Sequence, residues 1–409
     1  MNKQIHAYTS ITANYLPKAR VLAESVKRVD PCIQFHLILS DNLPIGFNLA
    51  SEPFDSVIFA EQLVVDHFPR WAFGHSVVEL CTAVKGVALE YIFSQYDAQQ
   101  IFYFDPDMVI FSRLDELQAA LSERSIVLTP HLTDPETTDI GILDNEVASL
   151  LHGVFNLGFV GVRNCSEGRR FARWWAQRLL KYCHDDLARG LFTDQKWVNL
   201  APCFFENVGI LRSPAFNVAT WNLTNRTATG SLEKGIEVNG EPLGFYHFSG
   251  FDSGDQIVML QRYGQASPVL YELRDWYIAE CERHGQSVLG SLLSKYSCFS
   301  DGQLIHRDYR VLYRQRMDLQ IAFPNPFLIS GKNCFRAWFD AHPAEHPPSG
   351  AVQISMGAPI GEIMADMARQ LTVRLNGVRG RANFKRLFLI LCIKTFRLGA
   401  WFLGRGSRV

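Results

Sequence analysis

The stretch Ile101-Phe102-Tyr103-Phe104-Asp105-Pro106-Asp107-Met108-Val109-Ile110-Phe111 decides the fold. Four consecutive apolar or aromatic residues lack the alternation of a half-exposed strand. They suit a central strand covered on both faces. Asp105-Pro106-Asp107 ends that run, and a second short apolar run follows. Working outward, Ile5–Ser10 reads as a strand, Leu16–Arg28 as an amphipathic helix, Phe35–Leu39 as a strand ending at Ser40-Asp41-Asn42, Val57–Phe59 as a short strand and Val77–Ser94 as a helix. Strands alternating with helices imply an α/β fold with parallel strands and right-handed crossovers.

The chain has 409 residues, 47% of them apolar and 20% charged, enough to bury a sizeable core and to form about two or three domain-sized units. Residues 1–255 read as a Rossmann-like domain and residues 256–340 as a helical extension. Residues 341–359, rich in Pro and His, read as a linker. Residues 360–409 read as an amphipathic basic tail, with Ile360, Ile363, Met364, Met367, Leu371 and Leu375 on one stripe. The net charge is −1, but its distribution is uneven. From Leu371 to Val409 there are nine Lys and Arg and no Asp or Glu, so the tail carries +9 and the rest −10. A basic end interleaved with Phe, Leu and Trp suits an anionic membrane surface, with a helix packed on the body as the alternative. The acidic remainder argues against nucleic acid as a partner. The nine cysteines are scattered without CxxC spacing and read as reduced thiols. Met1–Ser10 lacks a signal-peptide pattern, so the triad Asn222-Leu223-Thr224 reads as a chance glycosylation match. The expectation is a cytoplasmic protein, peripheral on the inner face of the cytoplasmic membrane.

Two carboxylates one residue apart at a strand's carboxyl end can converge on one hard divalent cation, Mg²⁺ or Mn²⁺. Ligands of open α/β sheets bind at that end. The spacing alone is weak: roughly one such pair arises by chance in a chain this long, and a solvated Pro turn is an equal alternative.

Five segments, in order, resemble family 8 glycosyltransferases and related bacterial surface-polysaccharide glycosyltransferases, which have the GT-A fold. They are Thr9–Leu16, Phe102–Asp107, Phe155–Val162, Thr193–Asn199 and His247-Phe248-Ser249-Gly250. Phe216–Leu223 is similar to the bacterial members as well. The resemblance implies a metal-dependent, retaining transfer of a hexose-type sugar from a nucleotide-diphosphate donor to a glycan or lipid-linked acceptor. It implies Asp105, Asp107 and His247 as ligands of Mn²⁺ or Mg²⁺. It implies Asp194 and Gln195 at the reacting face of the sugar, and Thr9, Asn14, Lys85, Asp105, Asn156 and Gly250 at the donor. Two departures stand out. Phe251-Asp252-Ser253 replaces the family's Lys-Pro-Trp, so a diphosphate-facing Lys is missing. Lys196 replaces an Asp.

Each of these residues also has a plain structural reading. His247 between two aromatics suits a packed core, Lys85 a solvated helix face, Asp194 an N-cap and Asn156 a buried amide tied to backbone. Two other functions stay open on the sequence. One is a nucleotidyltransferase, though Thr12–Lys18 is not the Gly-rich basic loop expected there. The other is a non-catalytic sugar-binding scaffold.

Overall fold

The computed structural model describes residues 4–345 apart from 65 and 332. The basic tail expected at 360–409 and most of the linker at 341–359 lie outside the described residues. The chain divides into two compact units. Residues up to Phe251 and from Met259 to Pro347 form the first; the described part of the second is residues 252–258.

The first unit is built on a seven-stranded sheet. In chain order its elements begin with β1 (Ile5–Ile11), α1 (Leu16–Val29), β2 (Gln34–Leu39), β3 (Ser56–Phe59), α2 (Val77–Ala83), α3 (Lys85–Gln95), β4 (Gln100–Phe104), β5 (Met108–Ile110), α4 (Asp115–Glu123), β6 (Ile126–Pro130), α5 (Ala148–His152), β7 (Phe155–Arg163) and α6 (Ser166–Tyr182). There follow a small hairpin of β8 (Asp185–Asp186) and β9 (Leu191–Phe192), α7 (Gln195–Val198), β10 (Val208–Ile210), β11 (Ala228–Ser231), β12 (Gly235–Val238), β13 (Glu241–Pro242) and β14 (Phe245–His247). The extension contributes α8 (Val269–Arg283) and α9 (Arg307–Gln315). The sheet order is β10-β6-β7-β4-β1-β2-β3.

The sheet is α/β as expected, but it is mixed rather than all parallel. β1 runs parallel to β2 and β4, and β2 to β3, whereas β7 runs antiparallel to both β4 and β6. β7 is thus not the parallel partner of a βαβ unit with either neighbour, although a helical connection joins it to β6. This reversal has a use. The start of β7 meets the end of β4, where the amide of Asp105 donates to the Gly158 carbonyl at 2.7 Å.

β4 is buried along its whole length, as its uninterrupted apolar run predicts. Two apolar layers cover the sheet. One includes Phe102, Phe104, Phe159 and Phe245 with Leu22 and Val26 of α1; the other includes Tyr8, Tyr103, Leu89, Ile92, Phe171 and Trp175. The second layer depends on α3 and α6 approaching closely. Gly86 permits this, because a Cβ there would lie 2.6 Å from the backbone of Ala176. The helix expected over Val77–Ser94 is two helices meeting at Val84. The helical extension expected over residues 256–340 is interrupted: Cys298 and Leu304 form an isolated antiparallel bridge between α8 and α9. Among the described residues, eight cysteines are free and no helix is long and apolar enough to cross a membrane.

Candidate active site

β4 delivers Asp105 and Asp107 to the carboxyl edge of the sheet. Directly after them β5 pairs antiparallel with β14, in a register that sets Met108 opposite His247. The Phe248 amide locks that register by donating to the Asp107 carbonyl at 2.9 Å. Three potential ligand atoms therefore gather, one each from Asp105, Asp107 and His247, all within 4.8 Å of one another. His247 Nε2 lies 3.2 Å from Asp107 Oδ1 and 4.0 Å from Asp105 Oδ2. The other ring nitrogen, Nδ1, donates to Asn156 Oδ1 at 3.2 Å, which leaves Nε2 to face the carboxylates. His247 is buried, while the side chains of Asp105 and Asp107 keep 27% and 21% exposure, so the cluster opens to one side.

Asp105 divides its two oxygens. Oδ1 accepts from Tyr103 Oη at 2.5 Å and from Lys85 Nζ at 3.1 Å. Oδ2 is left towards His247. Lys85 is fully engaged as well: its ammonium also donates to Asp194 Oδ2 at 3.0 Å and to the Leu157 carbonyl at 3.2 Å, and it sits 4.2 Å from the centre of the Tyr103 ring. The structure thus places Lys85 in the site and not on a solvated helix face. Burial disfavours its charge, but Asp105 and Asp194 outweigh that and raise its pKa above the usual lysine value. For Asp194 burial dominates and raises the carboxyl, with Lys85 opposing. Burial alone would also raise Asp107; His247 outweighs it and lowers that carboxyl, and Lys18 acts in the same direction.

Asp194 follows Thr193, whose φ of +43° is left-handed. Its side chain accepts from the Thr193 hydroxyl at 3.2 Å rather than capping α7. Gln195 Oε1 accepts from the Leu157 amide and its Nε2 donates to the His152 carbonyl, both at 3.2 Å. Gln195 therefore ties the end of α5 to the start of β7 with both ends of its amide. Asn156 is held between His247 and His131, whose Nε2 takes its amide at 3.2 Å.

The other expected donor residues lie along the same edge. Thr9 is inside β1, fully buried, with a hydroxyl that has no partner among the described residues. Asn14 follows in a short 3-10 turn and accepts from Thr12 at 2.7 Å. Gly250 has φ +74° three residues after His247. Asn222, of the glycosylation triad, is 2% exposed with its amide on the His131 and Asn217 carbonyls. A cavity of about 320 Å³ at the ends of β2 and β3, lined by Asp41, Glu61, Lys295 and Tyr296 among others, is separate: Lys85, Asp105, Asp194 and His247 do not line it.

Two contributors escaped sequence reasoning. Tyr103 was read only as strand filler. Lys18 is 2% exposed on α1, its ammonium 4.4 Å from the Tyr15 ring centre and 5.5 Å from that of Phe251. The signal for Lys18 was present: it lies four residues before Leu22, on the buried face of an amphipathic helix.

No family model matches the chain. It is similar to two Bacillus subtilis (strain 168) proteins, both uncharacterized. YfnD is 27% identical over 252 residues, which cover 60% of this chain and 78% of YfnD. YfnF is 28% identical over 182 residues, 42% of this chain and 57% of YfnF. Among solved structures, the galactosyltransferase LgtC in complex with donor and acceptor sugar analogs aligns over 72% of this chain and 99% of its own, with 14% identity and a TM-score of 0.41. The glycosyltransferase GlyE of Streptococcus pneumoniae TIGR4 aligns over 73% and 67%, with 16% identity and a TM-score of 0.38. The bifunctional WbbM aligns over 69% and 52%, with 12% identity and a TM-score of 0.37.

Proposed function

We propose that this protein is a metal-dependent glycosyltransferase of GT-A architecture, which moves a hexose-type sugar from a nucleotide-diphosphate donor to a glycan or lipid-linked acceptor of bacterial surface polysaccharide. The observation that carries the reading is the juxtaposition of two clusters. The Asp105–Asp107–His247 group lies beside the buried Lys85–Asp194 pair, and Asp105 belongs to both.

The residues fit a divalent cation. Two carboxylate oxygens and one imidazole nitrogen, with the second nitrogen held by Asn156, form a donor set suited to Mn²⁺ or Mg²⁺. Asp105, Asp107 and His247 would hold such an ion, and it would supply Lewis-acid chemistry that offsets the charge of the leaving diphosphate. The chain's own groups do the rest. Lys85 holds Asp105 and Asp194 in fixed orientation and balances their charge. Asp194, carried on a left-handed turn, stabilises the positive charge that develops at the anomeric carbon of a retaining transfer. Gln195 fixes the Leu157 amide and the His152 carbonyl, and so the floor on which the donor sugar lies. Asn156 orients His247. Lys18, whose charge acts on Asp107, supplies the second cation near the diphosphate that the missing Lys-Pro-Trp segment would otherwise provide. The acidic tail-less body and the basic tail support a site on the cytoplasmic face of an anionic membrane, close to a lipid-linked acceptor.

The test is a thermal-shift screen of UDP-, GDP-, CDP- and dTDP-sugars with and without Mn²⁺, on wild type and Asp107→Ala. The expected result is a Mn²⁺-dependent rise with one nucleotide class that the variant loses. No rise with any donor in wild type overturns the reading and favours a scaffold.

A further inference from the structure

The helical extension reaches the two segments that carry Lys85 and Asp194. The meeting point is Glu79 in α2, 5% exposed. Its Oε2 accepts from the Ser76 amide at 2.7 Å, which starts the helical segment leading to Lys85. Its Oε1 accepts from the Asp185 amide at 2.8 Å, at the base of the β8–β9 hairpin. The hairpin closes with the Thr193 amide on the His184 carbonyl at 3.0 Å, and Asp194 is the next residue. One buried carboxylate thus ties together the supports of both partners in the Lys85–Asp194 pair.

Its counter-charge comes from the extension. Arg314 Nη1 of α9 lies 3.4 Å from Glu79 Oε1 and donates to the Gly74 carbonyl at 3.3 Å and to His184 Nδ1 at 3.1 Å. Two histidines face the same carboxylate, but burial lowers His75 to about 4 and His184 to about 3, so both are neutral near pH 7. From the same helix, Arg307 donates to the Asp185 carbonyl at 2.6 Å, and Arg310 to the carbonyls of His75 at 2.5 Å and Tyr296 at 2.6 Å. Breaking a buried ion pair on one side leaves an uncompensated charge, which the local structure must move to solvate.

We propose that Glu79 and Arg314 are positioning residues, and that the extension, acting through this ion pair, sets the separation of Lys85 from Asp194. This rests on the glycosyltransferase reading for its kinetic part only. The full chain is compared as wild type, Arg314→Met, Arg314→Lys and Glu79→Gln. Backbone hydrogen exchange is followed in residues 183–195 and, as an internal reference, in the β11–β12 hairpin. Localised loosening speeds exchange by about tenfold or more in 183–195 for Arg314→Met and Glu79→Gln, with the reference unchanged. Donor hydrolysis in the presence of Mn²⁺ then falls about tenfold in kcat per nucleotide-binding site, with KM for the donor within about twofold, because misplacement of Asp194 affects the reacting centre more than the diphosphate. Arg314→Lys restores most of both. Unchanged exchange in 183–195, or a rise that is uniform across the fold, overturns the proposal. Should Arg314→Met not fold, the nearly isosteric Glu79→Gln decides alone. Wild type without donor turnover overturns the glycosyltransferase reading, while exchange still decides the positioning one.

Discussion

Gly158 lies against His247 so closely that a Cβ on it would stand 2.6 Å from the imidazole Cε1, and 2.5 Å from Cε of Met108. The start of β7 is therefore shaped to the ring of the third candidate ligand. Gly158→Ala is expected to displace the His247 ring, because the added methyl would crowd it together with Met108 Cε and with Asn156 Oδ1, the latter at 2.8 Å. The expected outcome is a loss of about tenfold or more in Mn²⁺ affinity by titration calorimetry, with far-UV circular dichroism unchanged. Retained affinity would remove His247 from the ligand set.

Lys85 is the charge balance of the site, with two carboxylates on one ammonium. Lys85→Met leaves Asp105 and Asp194 facing each other without it. Loss of one partner of a buried pair costs about 3–5 kcal/mol, and urea unfolding is expected to show a cost of that size. A cost below about 1 kcal/mol would mean that solvent reaches the pair freely.

Lys18 is the second cation proposed for the site, distinguishable from Lys85 by what it touches. Lys18→Gln is expected to weaken nucleotide-diphosphate binding by about tenfold or more while the free nucleoside loses nothing, since only the charged moiety is affected. Equal losses for diphosphate and nucleoside, measured by calorimetry, would assign Lys18 to packing alone.

Stability depends on pH through buried histidines remote from the cation site. His36 is fully buried between His6, whose Nδ1 is 2.8 Å from its Nε2, and Ser56 at 2.7 Å. Burial first, and then the neighbouring His6, lowers His36 to about 3; burial lowers His75 to about 4. Both folded values lie below the unfolded value of 6.5, so the unfolded chain binds more protons below it. The stability contribution is fully present above about pH 6.5 and is lost as pH falls towards 4, at up to ~1.4 kcal/mol per pH unit for each residue. Urea midpoints between pH 7 and 5 check this, and a flat profile would contradict the burial of both rings.

Much of this was readable from the residues. The β4 run is apolar without alternation because both its faces are covered, and a pattern of that kind needs no partner to be recognised. Asp105 and Asp107 were legible because they interrupt it. The direction of β7 was not legible: Phe155–Val162 has the composition of a buried strand whichever way it runs, and only its pairing with Phe104 and Leu128 fixes it. Lys85 illustrates the same limit. A lysine on a helix reads as solvated until the tertiary fold sets carboxylates against it. The resemblance implies Gln195 at the reacting face of the sugar, and only the approach of His152 and Leu157 shows both ends of its amide taken.

The β5–β14 pairing joins segments that are far apart in the chain. A ribosome exposes the two carboxylates long before it exposes His247. A nascent or truncated chain ending before Phe245 has two of the three candidate ligands, Asp105 and Asp107, and lacks His247. The proposed affinity for an ion is therefore expected only of chains that extend past β14.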